Sequence, residues 1–326
     1  PQKMKDEMIA SFNSIVTQYP SGNDVNSLLA GKIFGIDHNM VIVGNGITEL
    51  IREIMNQVHG NVGIIQTAFN EYTRRVQGEK IVYTPYSEDF SYTVNDMICY
   101  FSKHNVDSLI ISNPDNSSGN FISQNDMLLL IEWCHNNGIT IVVDESFIDY
   151  AEWSYSLLDE DILTKYEKLI VIRSISEPHG LPGIRLGILA TANRDIVDRI
   201  RQDISIWNVN SIAEFYMQIF EKYKKQYLIS LDEIKKERNR FIDNLSLIKD
   251  INVIRSQANH LMVEIINGLT AREVTKMLLT ECNILVKDLS VKRMNVNHQY
   301  IRIAIRSSKE NDDFICCLKN VLKAGN

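Results

Sequence analysis

Arg173-Ser174-Ile175-Ser176-Glu177-Pro178-His179-Gly180-Leu181-Pro182-Gly183-Ile184-Arg185-Leu186-Gly187 is the stretch on which the reading of this chain turns. It follows the apolar run Leu169-Ile170-Val171-Ile172, which reads as a buried strand. Upstream, short apolar runs at 41–43, 61–66, 80–84, 108–112 and 138–143 read as further strands. Helix-like segments stand between them, at 47–58, 95–103 and 124–136, and a strand returns at 186–190. Strand and helix in alternation point to an α/β layer architecture with a largely parallel sheet.

Downstream the pattern changes. Residues 194–203 and 212–245 read as helices, the second with Ile229, Leu231, Ile234, Phe241 and Leu245 on one face. A helix of that length links two domains. Beyond it, strands at 253–254, 261–265 and 300–305 and helices at 270–282 and 311–323 read as a smaller α+β domain. Thr270-x-x-Glu273 is a capping-box pattern that marks one helix start. The expected division is a large domain over 25–225 and a small one made of 1–24 and 226–326.

At 326 residues, 44% hydrophobic and 23% charged, the composition is that of a globular protein with room for two cores. The net charge of −7 comes with no block of lysine and arginine, so neither a nucleic-acid nor a membrane surface is expected. Five cysteines without a Cys-x-x-Cys pair read as free thiols in a reducing compartment, with no metal site. No long apolar run or signal-peptide pattern is present, which points to the cytoplasm. The start at Pro1 reads as a domain cut from a longer protein or a processed chain.

The quoted stretch resembles the cofactor-anchoring segment of fold-type-I pyridoxal-phosphate enzymes, the class I/II aminotransferase family. There the pattern is Ser-x-Ser-Lys, two residues, a small residue, then Leu-Pro-Gly-x-Arg-x-Gly. Every anchor point is present but one: Glu177 stands where the family has the lysine that holds the cofactor covalently and shuttles a proton. Other segments are similar to family motifs, in the family's order. Gly44-Asn45-Gly46-Ile47-Thr48-Glu49 resembles the phosphate cup, and a glycine turn opening a helix suits an anion in any case. Phe69, in Thr67-Ala68-Phe69-Asn70-Glu71-Tyr72, matches the aromatic that stacks on the pyridine ring. Asn116, in Asn113-Pro114-Asp115-Asn116-Ser117-Ser118-Gly119, matches the asparagine on the ring hydroxyl. Asp144, closing an apolar strand, matches the acid that keeps the pyridine nitrogen protonated, and Phe147 replaces a tyrosine.

By the same resemblance Ser174, Ser176 and Arg185 fall to the cofactor and Arg302 to the substrate carboxylate, for which a planar guanidinium is suited. Arg306 and Lys287 are candidates for a second anionic group. Tyr19-Pro20 matches a pair that reaches the cofactor phosphate of the other subunit in relatives such as histidinol-phosphate aminotransferase and threonine-phosphate decarboxylase. It reads equally as a plain turn after a helix. The resemblance implies pyridoxal 5′-phosphate or pyridoxamine 5′-phosphate as cofactor, a small amino donor or acceptor, and a homodimer. It leaves three activities open: an aminotransferase altered at Glu177, a phospho-amino-acid decarboxylase, and a non-catalytic cofactor-binding protein.

Overall fold

The computed structural model describes residues 1–290 and 298–324. Helices α1 (Gln2–Ala10), α2 (Phe12–Val16) and α3 (Asn23–Phe34) lead into strand β1 (Val41–Gly44). Then follow α4 (Ile47–Gln57), β2 (Val62–Ile65), α5 (Asn70–Arg75), β3 (Lys80–Tyr83), α6 (Val94–Phe101), β4 (Ser108–Ser112), α7 (Gln124–Asn136), β5 (Thr140–Asp144), α8 (Glu160–Lys165), β6 (Leu169–Ser174) and β7 (Gly187–Ala190). The strands form one sheet in the order β1-β7-β6-β5-β4-β2-β3. Only β7 runs against its neighbours; the other pairings are parallel.

The apolar runs are continuous because both faces of this sheet are covered. Side chains alternate across a strand, so Leu169 and Val171 enter one core while Ile170 and Ile172 enter the other. The same split sends Ile141 and Val143 one way and Val142 the other. The stretch that begins the argument is the return from β6 to its antiparallel neighbour β7. Its neck is tied by Ile175 N and Ser176 N donating to Leu186 O, at 3.1 and 3.2 Å. Leu186 N donates in turn to the Ser176 hydroxyl at 2.5 Å.

After α9 (Arg194–Asp203), helix α10 (Ser211–Leu245) runs for 35 residues. Its first half puts Ala213, Tyr216, Met217 and Phe220 into the large core, and its last turns put Phe241, Ile242 and Leu245 into a separate cluster. That second cluster is built on β8 (Ile251–Ile254), β9 (His260–Ile265), α11 (Ala271–Cys282), β10 (Lys287–Asp288), β11 (Gln299–Ala304) and α12 (Ser308–Ala324). The small sheet is antiparallel, in the order β10-β11-β9-β8. Thr270 caps α11 through the reciprocal bonds of a capping box.

Two expectations change. Residues 1–24 were grouped with the small domain, yet Met4 belongs to the large core, and Glu7 is held by Tyr223 (2.7 Å) and Lys222 on the first half of α10. Ile229, assigned to the buried face of α10, is 50% exposed, because it lies where the helix passes between its two cores. Among the described residues no helix is long and apolar enough to cross a membrane.

Candidate active site

The carboxyl ends of β4, β5 and β6 open on one side of the large sheet, where ligands bind in parallel α/β sheets. Asp144 ends β5 and is 5% exposed. Its carboxylate accepts from the Tyr72 hydroxyl (3.1 Å), from Ser146 N (2.9 Å) and from the Ser146 hydroxyl. Burial raises this carboxyl above its ordinary value, and the bonds from Ser146 and Tyr72 pull the other way. The Ser146 hydroxyl also accepts from Ser174 N at 3.1 Å, which ties the end of β6 to the acid.

Beside it, the turn after β1 enters α4 through Gly46 at φ +78°, a conformation that suits glycine. No side chain caps the start of α4, so the Ile47 and Thr48 end of the helix is left for an outside acceptor. The close neighbour is Arg185: a Cβ on Gly46 would stand 2.4 Å from its Nη2. Arg185 is exposed and donates to Pro182 O at 3.3 Å. Ser174 is buried at the end of β6, while the Ser176 hydroxyl is engaged with both polar atoms of the Leu186 backbone. Phe69 follows β2 half-buried, edge-on to Tyr72 with ring centroids 6.4 Å apart.

Glu177 lies in the loop beyond β6, next to the end of β5. Its carbonyl accepts from the Tyr150 hydroxyl (3.2 Å) and from Gly180 N (3.0 Å). The carboxyl is accessible from the cleft and makes no hydrogen bond or ion pair among the described residues. Its surroundings still raise its pKa: partial burial raises it, the charge of Asp144 raises it further, and Arg302 and Arg185 oppose the rise. His179, two residues on, contributes no charge; burial pushes its imidazole down to about 3, and it hydrogen-bonds Tyr216. The nearest lysine in sequence, Lys168, precedes β6 at its far end and donates to Gly138 O at 2.5 Å.

From the small sheet, Arg302 reaches across to the loop after β4. Its Nη1 donates to Asn116 O at 2.6 Å and to Asn116 Oδ1 at 3.3 Å. Burial lowers the guanidinium's pKa, while the charges of Glu177 and Asp115 raise it. Lys287 is the antiparallel register partner of Arg302, and burial followed by that arginine's charge lowers its pKa. Phe147 packs edge-on against His260, at 5.1 Å between centroids. Two further candidates have partners at the surface. Arg306 forms a surface pair with Glu310 at 2.7 Å, and Tyr19 is 78% exposed, stacked on Trp207 at 4.3 Å.

Sequence reasoning assigned no role to Tyr72, Ser146 or Tyr150. Tyr72 follows Phe69 by three residues, the spacing that returns a side chain to the same helix face, and this was the available signal. The residues present suit a ligand with an anionic end, at Arg185 and the start of α4, and a ring nitrogen facing Asp144. They do not suit a covalent tether, since Glu177 offers no amine.

A family model described as aminotransferase class I and II matches residues 3–316. The chain is 26% identical to a CMP-5′-(3-aminopropyl)phosphonate synthase of Streptomyces rubellomurinus, over 99% of this chain and 51% of that protein, and so spans about half the length of this relative. It is 28% identical to an L-serine phosphate decarboxylase of Sulfurospirillum multivorans, over 96% of this chain and 81% of that one. The crystal structure of a histidinol-phosphate aminotransferase from Clostridium acetobutylicum superimposes with a TM-score of 0.84 at 24% identity, covering 98% of this chain and 96% of that one. With the fold, the order of its site segments and the matched family model in agreement, the chain belongs to the class I and II aminotransferase family, whose enzymes depend on pyridoxal 5′-phosphate.

Proposed function

We propose that this chain is an aminotransferase-type protein that holds its cofactor without a covalent bond and acts on a small amino compound bearing phosphate or phosphonate. In this reading Glu177 impairs transamination. The observation that carries it is the Glu177 carboxyl, which has no partner among the described residues and stands within reach of the charges of Asp144, Arg302 and Arg185. When bound, the cofactor supplies an electron sink for the substrate's amino carbon. Asp144 holds the proton at the pyridine nitrogen, and its own donors Tyr72 and Ser146 fix its orientation. The start of α4 with Thr48 and Arg185 binds the phosphate. Phe69 covers the ring and excludes water, and Asn116, fixed by Arg302, faces the ring hydroxyl. Arg302 takes the substrate carboxylate, with Lys287 beside it for a second anion. Glu177 cannot make the bond that a lysine makes, but a carboxyl with a raised pKa can hold or pass a proton.

The phosphate or phosphonate is supported by the relatives, whose names include an aminopropylphosphonate, a serine phosphate and a histidinol phosphate. The serine phosphate relative also supports a second reading, decarboxylation of a phospho-amino acid. The Glu177 carboxylate, without a partner among the described residues, supports a third, binding without turnover. The test is an absorbance spectrum with added pyridoxal phosphate, for the natural chain and for Glu177→Lys. The variant is expected to gain cofactor that borohydride fixes to the protein, and to convert it to the amine form when an amino donor is added. Failure of both proteins to bind cofactor would end the proposal. Binding by the lysine variant with no conversion would favour the third reading.

A further inference from the structure

We infer that the site selects the aminomethyl form of the cofactor, pyridoxamine 5′-phosphate, over the aldehyde form, with the Glu177 carboxylate as the receptor for its ammonium group. The inference rests on the reading of the cleft as a site for this class of cofactor.

The other acids around the cleft are supplied with donors. Asp144 has Tyr72 and Ser146. Asp115 accepts from Thr67, Ser117 and Ser118 at 2.6–2.9 Å. Glu145 accepts from Ser156 and Leu157 N, and Asp149 from Arg173 and Tyr227. Glu177 has none among the described residues, although it sits near the negative charge of Asp144. Neither of the two arginines whose charges reach it donates to its carboxylate: Arg302 donates to Asn116 and Arg185 to the Pro182 carbonyl. A carboxylate in this state is free to accept a charge-assisted hydrogen bond from a cation that a ligand brings.

The cradle thus presents three charge requirements: an anion at the start of α4 and Arg185, a protonated ring nitrogen at Asp144, and a cation at Glu177. The amine form of the cofactor carries all three. The aldehyde form meets only the first two, and its carbonyl oxygen, an acceptor, would face another acceptor. Where the family pattern has a lysine, an amine answers the aldehyde, and here a carboxylate answers the amine.

The test is equilibrium dialysis of the whole chain against each form, and against 4′-deoxypyridoxine 5′-phosphate, which has neither group and cannot form adducts with surface lysines. The natural chain is expected to hold the amine form about ten- to hundredfold more tightly than either competitor, the range for one charge-assisted hydrogen bond. Glu177→Gln, of the same shape, is expected to reduce that ratio to about the level of a neutral hydrogen bond. Equal or tighter retention of the aldehyde or deoxy form by the natural chain would overturn the inference and leave the cofactor reading standing. So would a ratio unchanged in Glu177→Gln. Retention of none of the three would overturn both together. The ratio in the natural chain is decisive even if the variant does not fold.

Discussion

Asp144 is buried at the end of β5, and burial holds its carboxyl above the ordinary value although Tyr72 and Ser146 donate to it. A folded-state value above the unfolded one means that the native protein binds this proton more readily than the unfolded chain does. The stability tied to it is therefore complete below the unfolded value and is lost as pH rises through the folded one. At neutral pH the ligand-free protein carries Asp144 as a cost, offset only when a ligand brings a positive charge to it. Asp144→Asn is expected to leave the ligand-free melting temperature at neutral pH unchanged or higher, with the difference closing as the pH falls towards that of an ordinary carboxyl. The same variant should weaken cofactor binding about tenfold or more. A loss of ligand-free stability at neutral pH without a loss of binding would contradict this role. Asp144 was legible in the sequence because an acid directly follows an apolar strand. Tyr72 and Ser146 were not, because a hydroxyl takes its role from the neighbour that folding supplies.

Helix α10 contributes to both cores, and Arg238 is its most deeply buried polar residue. Its Nη1 donates to Tyr150 O at 2.7 Å and Ala258 O at 3.2 Å, and its Nη2 pairs with Glu152 at 2.9 Å. One guanidinium therefore ties the helix to the segment after β5 and to the connection between β8 and β9. Tyr150 in turn donates to the Glu177 carbonyl, so this tie continues into the anchor loop. Arg238→Met keeps much of the volume but strands two carbonyls. It is expected to cost about 3 kcal/mol in denaturant unfolding. A loss well under 1 kcal/mol would show that water or a shifted backbone replaces the guanidinium. The sequence concealed this residue: it lies in a run of lysine and glutamate, where a charge reads as solvated. Ile229 shows the opposite error. Helical period marks which side of α10 is apolar, but the two cores decide which turns of that side are covered.

Over the whole molecule, the alternation of strand and helix disclosed the large sheet because each strand must be apolar on both faces. The antiparallel return of β7 and the seat of the N-terminal helices depend on pairings between distant segments, which no local pattern encodes. Tyr19 illustrates the limit. The resemblance places it at the cofactor phosphate of a second subunit, and in this chain it projects 78% exposed, stacked on Trp207 and close in sequence to Pro20. Ile206, beside Trp207, is 75% exposed as well. Large apolar side chains left in water together are a reason for a partner surface. If a second copy covers them, light scattering should give twice the 37.4 kDa of the chain. Tyr19→Ala should then weaken cofactor binding several-fold while Asp144 and Arg185 are untouched, the expected loss of one hydrogen bond to a charged phosphate. A monomer that binds cofactor as tightly with alanine at position 19 would mean that the site is complete within one chain. Tyr19-Pro20 would then be the plain turn that its local sequence equally describes.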